Sequence, residues 1–283
     1  MPLVTTKEML ILAQKNTYAV AAFNCENMEM MQAVIAAGEE MKAPLIIQTT
    51  PSTIRYASAG IFAANVAVMA KSASIPVALH LDHGDSHELV QEALHAGYSS
   101  VMIDGSALPL DENISFTKRA VELCLEAVIP VEGELGHVGG KEDDTVSDGY
   151  GYTDPKEAVR FVNETAVSSL AVGVGTAHGV YATKPSLNVE LISILREKLE
   201  VPLVLHGASG LEDELLQDCI KRGICKVNIA TDLRITYTQT VREYLKNDPG
   251  CFDPKKYGKA AREAVKKIAM NRMMVCGCNG RAG

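Results

Sequence analysis

Eight short apolar runs alternate with helix-like stretches along the chain, and this alternation constrains the fold more than any other feature. The runs are YAVAAFN to Asn24, PLIIQTT to Thr50, IPVALHLDH to His83, SSVMIDGS to Ser106, IPVEGELG to Gly136, SLAVGVG to Gly175, VPLVLHG to Gly207 and KVNIATD to Asp232. Between them lie stretches such as MEMMQAVIAAGEEMK, SHELVQEALHAG and NVELISILREKLE, whose apolar residues recur at helical spacing. Runs that are apolar throughout suit parallel strands covered by helices on the outside. Eight such units in 283 residues predict a (β/α)8 TIM barrel, read as one domain over residues 1–283. A doubly wound open sheet is the structural alternative, but no G-x-G-x-x-G follows the first run to support a dinucleotide-binding version of it. The segment from Asn247 onward reads as additional C-terminal helices. The polar, glycine-rich HVGGKEDDTVSDGYGYTDP is too long for an ordinary connection, which marks it as a functional loop or a disordered one.

Polar residues gather where each run meets its following loop: Asn24, Thr50, Asp82, His83, Asp104, Glu134, His178, His206, Asn228 and Thr231. In a barrel these strand ends converge on one rim, the face that carries the chemistry. Three of the seven histidines, His83, His178 and His206, each precede a glycine after the third, sixth and seventh runs. Three imidazoles on one rim suit a catalytic zinc ion, which leaves a coordination position for substrate. Asp82 adjoins His83, so their side chains should diverge along a strand, and the carboxylate reads as a reactive group beside the metal. Asp104 and Glu134 are placed as outer acceptors for the histidines or as ligands for a second or displaced ion. His80 shares Asp82's side of the strand lower in the barrel and is expected to pack there. Opposite the histidines, LHGASG and NIATD end the last two runs, where barrels bind phosphate through backbone N–H groups.

The net charge of −8, without a basic cluster, argues against nucleic acid as a partner. No uncharged apolar stretch reaches about 18 residues, so no membrane span is expected. The N-terminus lacks a signal peptide's pattern, and seven scattered cysteines read as reduced thiols, which together place the protein in the cytoplasm.

The motifs YAVAAFN, LHLDHG, SVMIDGS, VEGELGHVGGKEDD, SLAVGVGTAHGVY, VPLVLHGASGL, GICKVNIATDL and GCNGRA resemble those of the class II, zinc-dependent ketose-bisphosphate aldolases, closest to the tagatose- and fructose-bisphosphate enzymes. The resemblance implies reversible cleavage of a ketose 1,6-bisphosphate into dihydroxyacetone phosphate and an aldehyde such as glyceraldehyde 3-phosphate, through a zinc-stabilised enediolate. It implies that His83, His178 and His206 hold one Zn²⁺, with Asp104 and Glu134 as auxiliary metal-site carboxylates, and that a monovalent cation (Na⁺ or K⁺) takes part. Asp82 then serves as proton donor and acceptor at the aldehyde oxygen, and Glu142 shuttles the proton on the dihydroxyacetone carbon from a loop that closes over the site. Asn24, Thr50, Gly179, Gly207, Ala208, Ser209, Asn228, Ile229, Ala230 and Thr231 bind substrate, and Arg281 meets the second phosphate. A homodimer or homotetramer, with an accessory subunit as a further partner, is also implied.

Cys25, Glu26 and Thr49 depart from the tagatose enzymes' pattern, which leaves the aldehyde half open, including a ketose 1-phosphate substrate. An imine mechanism would need a lysine on the inner rim. Lys226 begins the eighth run, at the opposite end, and Lys184 sits in a loop, so the metal route is favoured. Two other readings stay open: a metal-dependent hydrolase, whose usual His-x-His pair on the first strand is missing, and a non-catalytic sugar-phosphate-binding subunit.

Overall fold

In the computed structural model the described residues are 3–142, 145–147, 151–179 and 185–282, with backbone only at 141, 142 and 145–147. The strands are β1 (Val20–Asn24), β2 (Leu45–Thr49), β3 (Val77–Gly84), β4 (Ser100–Ile103), β5 (Val131–Leu135), β6 (Gly139–Glu142), β7 (Thr145–Ser147), β8 (Ser169–Val172), β9 (Ala177–His178), β10 (Leu203–Leu205) and β11 (Ile224–Ile229). Eight of them close into a parallel barrel in the order β1-β11-β10-β8-β5-β4-β3-β2, which excludes the open sheet. Six of the apolar runs end one to three residues earlier as strands than as sequence patterns, because their polar ends turn into loops or helix caps; β1 ends with its run at Asn24, and β3 continues one residue further, to Gly84.

The helices are α1 (Thr6–Lys15), α2 (Met28–Met41), α3 (Pro51–Ala57), α4 (Ala59–Ser72), α5 (His87–Ala96), α6 (Leu110–Leu125), α7 (Pro155–Thr165), α8 (Val189–Lys198), α9 (Asp213–Arg222), α10 (Thr231–Asn247) and α11 (Pro254–Val275). Caps set where they begin. Asn27, Thr50, Ser86, Asp154 and Asn188 each accept a backbone N–H of the first turn. The helices bury their apolar stripes on the outside of the barrel, where the main core lies, while Met102, Ala171 and Val204 form a small apolar plug of their own. The extra C-terminal helix, α11, packs between α10 and α2, tied by Arg262 to Gln32 at 2.7 Å and Lys266 to Glu40 at 2.6 Å.

The segment after β5 differs from an irregular loop. β6 and β7 form an antiparallel ribbon, and β6 also runs parallel to β9, pairing Gly139 with Ala177 and Gly140 with His178. Gly140 makes this possible: its φ is +94°, and a Cβ there would collide with the backbone of His178. Residues 143, 144 and 148–150, Gly149 among them, lie outside the described residues.

Candidate active site

Asp82 and His83 lie near the end of β3, where the strand becomes irregular. Its pairing with β4 shifts between Leu81 and Gly84, and His83 has φ +48°. A left-handed histidine costs about 1 kcal/mol or more, and here it turns the ring toward the rim while Asp82 still points into the barrel. The adjacent side chains therefore both reach the site, although a regular strand would send them to opposite faces.

His83, His178 and His206 converge, each offering a ring nitrogen within 4.8 Å of the others. His206 Nδ1 lies 2.8 Å from His83 Nε2. The far nitrogens of these two rings are held by carboxylates: His83 Nδ1 lies 2.7 Å from Asp104 Oδ2, and His206 Nε2 lies 2.9 Å from Glu132 Oε1. Each carboxylate accepts one N–H and leaves the other ring nitrogen facing the centre, the arrangement that fixes the tautomer of metal-binding histidines. Burial, followed by the neighbouring imidazoles, holds the pKa of His178 and of His206 well below the ordinary histidine value. Neutral imidazoles are what a zinc ion binds, so this donor set fits the metal. Glu134 Oε2 stands 3.8 Å from both His83 Nδ1 and His206 Nδ1, and His83, Asp104 and Glu134 form a second cluster with ligand spacing. Burial alone would raise the Asp104 carboxyl, but the hydrogen bond and charge of His83 and the bonds from Ser106 outweigh it and keep the group ionised.

Asp82 is fully buried beside this cluster. Asn24 Nδ2 donates to its Oδ2 at 2.8 Å, Gln48 Nε2 to the same oxygen at 3.1 Å, and Asn228 Nδ2 to Oδ1 at 3.0 Å. Burial opposes ionisation, yet His83, His206, Lys226 and the Asn24 bond bring its pKa below the usual value. The result is an anchored, ionised carboxylate able to accept a proton.

A polar pocket opens next to the histidines, lined by Asn24, His178, Gly179, Gly207, Ser209, Asn228, Ala230, Thr231 and Arg234. The Ser209 hydroxyl accepts the backbone N–H of Ala230 at 3.2 Å, joining the β10 and β11 loops where α10 begins. Gly207 has φ +65° and sits against Ala177, where a Cβ would come within 2.6 Å of its carbonyl oxygen. Ala208 and Ile229 are buried and stand outside this lining. A helix N-terminus and small residues beside a cation site make a ready anion cradle.

Residues 4–281 match the model of the class II fructose-bisphosphate aldolases. The chain belongs to that family. It is therefore a lyase, and its fold recurs in solved aldolases. The structure of the YdjI aldolase from Escherichia coli K12 is 37% identical, covers 99% of this chain and all of its own, and superposes with a TM-score of 0.88. Fructose-bisphosphate aldolase from Campylobacter jejuni is 22% identical over 98% of this chain and 96% of its own, with a TM-score of 0.82, a likeness of fold.

The remaining expected residues of the aldolase divide. Glu142 ends β6, the strand laid beside His178's β9; its side chain lies outside the described residues, as does Lys184. Thr50 stands at the rim as the cap of α3, its hydroxyl 3.1 Å from that of Thr53. Arg281 is a correction. Its guanidinium stacks 5.4 Å from the ring of Tyr18, and Gly280 N and Ala282 N donate to Met41 O and Lys42 O. These partners precede β1 and β2, so the C-terminal tail holds Arg281 at the opposite end of the barrel from the histidines.

Several site residues escaped the sequence reading. Lys226, placed at the wrong end by its position in the run, is the third residue of β11, faces inward, and sends its ammonium to Glu132 Oε2 at 2.9 Å. His80 does not pack among apolar groups: its Nδ1 meets Ser100 Oγ at 2.8 Å, and its Nε2 lies 3.5 Å from Lys226 Nζ. Glu132 and Gln48 were overlooked. The signal was available in the two-residue spacing of EGE, HLD and KVN, which puts both polar residues of each pair on the inward face.

Proposed function

We propose that the protein cleaves a ketose 1-phosphate skeleton between C3 and C4, releasing dihydroxyacetone phosphate and an aldehyde, with a zinc ion held by His83, His178 and His206. When bound, that ion would act as a Lewis acid at the substrate carbonyl and offset the charge left by carbon–carbon cleavage. The observation that carries the reading is the anchored Asp82 carboxylate beside three converging imidazoles.

The chain's own groups have distinct tasks. The loops at Gly207–Ser209 and Ala230–Thr231 take the phosphate and orient the ketone. Asp82 accepts the proton of the C4 hydroxyl, so that the C3–C4 electron pair can move to C3 as the aldehyde carbonyl forms. Glu142, on the strand beside β9, delivers the proton that C3 then needs, and in the reverse reaction removes it. The β6–β7 ribbon excludes water while the carbanionic carbon exists.

A panel of ketose phosphates, assayed for dihydroxyacetone phosphate with the zinc-loaded protein, tests the reading. Release of triose from at least one, at a rate lost in Asp82→Ala, is expected. Binding of dihydroxyacetone phosphate without cleavage of any ketose would favour a non-catalytic sugar-phosphate-binding subunit.

A further inference from the structure

Arg234 is the only cationic side chain lining the polar pocket among the described residues, and it is already engaged. Its Nε lies 2.8 Å from Glu26 Oε1, and the other oxygen of Glu26 accepts the Thr53 hydroxyl at 2.6 Å. The three residues come from separate segments: Arg234 from the first turn of α10, Glu26 from the loop after β1, and Thr53 from the first turn of α3. The arginine thus spans the mouth from β11 toward β1 and β2, the sector whose Asn24 and Gln48 hold Asp82. The phosphate loop Gly207–Ser209 follows β10, on the other side of β11. Arg234 shares the pocket with the phosphate loops, but Glu26 and Thr53 draw it to the β1–β2 side, where the departing aldehyde would lie beside Asp82.

An uncommitted guanidinium in that place would hold a second phosphate bidentately. A carboxylate in its fork cancels the charge, and an incoming dianion would meet Glu26 as a like charge. The Glu26 and Arg234 side chains are 28% and 30% exposed, enough for a ligand to feel both. Arg281 stands at the far end of the barrel, and Thr50, Ser52 and Thr53 place hydroxyl groups on this part of the rim.

We infer that Glu26 masks Arg234, and that the enzyme selects ketose 1-phosphates whose far end carries no phosphate. The inference rests on the ketose-phosphate reading above and narrows it. The test compares a ketohexose 1,6-bisphosphate with the matching 1-phosphate, as the ratio of their kcat/KM values, in wild type, Glu26→Gln, Arg234→Met and the double variant. Wild type should favour the 1-phosphate. Glu26→Gln should move the ratio toward the bisphosphate by about tenfold or more, the scale of a charge-assisted hydrogen bond released to a new anion, and adding Arg234→Met should cancel that movement. A wild-type preference for the bisphosphate, or a ratio unmoved by Glu26→Gln, overturns the inference. Calorimetric binding of the same two ketoses to metal-free protein gives the ratio independently of turnover. If no ketose is cleaved, the aldolase reading fails, and the binding ratios still decide whether Glu26 masks Arg234.

Discussion

Lys226 and Glu132 form an ion pair, Nζ to Oε2 at 2.9 Å, inside the closed barrel, where their side chains are 0% and 1% exposed. The pair is one link in a polar chain along the barrel interior. Thr6 Oγ1 meets Ser100 Oγ at 2.8 Å, Ser100 meets His80, His80 approaches Lys226, and Glu132 ends the chain on His206. Removing one partner of a buried pair strands the other charge. Lys226→Met should therefore destabilise the protein by about 3–5 kcal/mol, read from the urea midpoint, and adding Glu132→Gln should recover much of that loss. No recovery in the double variant would show that lysine's packing, rather than its charge, matters here.

Glu132 also orients His206, so its replacement should be felt by the metal. Glu132→Gln should weaken zinc affinity by about 10–100-fold, measured by competition with a chromophoric chelator. Unchanged affinity would mean that His206 keeps its orientation without the carboxylate.

The barrel was legible because its signal is repeated eight times and each repeat is long enough to bury. His83, His206 and Asp82 were legible because they lie at the ends of apolar runs, where a polar residue has no packing reason to be, and His178 because it follows such a run by three residues and precedes a glycine as the other two do. Glu132 and Lys226 were not, because a charged residue within a run reads as a strand boundary until its partner across the barrel is known. Arg281 misled for a different reason: proximity to a C-terminus in sequence carries no information on which end of the barrel the tail reaches, and the backbone bonds to Met41 and Lys42 fix it at the far one. Glu26 and Arg234, 208 residues apart, could be paired only by the fold.

Histidine ligands make a removable metal. A chelator should abolish cleavage and added Zn²⁺ should restore it, with one zinc per chain by elemental analysis. His178→Ala should lower occupancy, whereas His95→Ala, an exposed position on α5, should leave it unchanged. Full activity in protein shown to be free of metal would remove zinc from the mechanism.

Stability of the metal-free protein should fall as pH is lowered through the histidine range. Burial, aided by Lys226, keeps the pKa of His80 well below its ordinary value, and burial with His83 does the same for His206. Below about pH 6.5 the unfolded chain binds protons at these rings that the folded state does not, so acid favours unfolding by up to about 1.4 kcal/mol per pH unit for each ring. Urea midpoints between pH 7.5 and 5.5 should decline accordingly, and His80→Asn should make the decline shallower. A flat profile would show that both rings titrate normally in the folded protein.

The two proposed carboxylates can be separated because they serve different atoms. Asp82 is held by Asn24, Gln48 and Asn228 beside the histidines, whereas Glu142 lies on the strand paired with β9. Asp82→Ala should block cleavage, since no group then takes the C4 hydroxyl proton, yet exchange of the dihydroxyacetone phosphate C–H with solvent should persist in part. Glu142→Ala should slow both reactions, and exchange by about 10²–10⁴-fold, the usual effect of losing a general base. Exchange followed by proton NMR in deuterated buffer, alongside triose release, distinguishes the two variants. Equal losses of both reactions in both variants would mean that one carboxylate serves both protons and that the other only shapes the site.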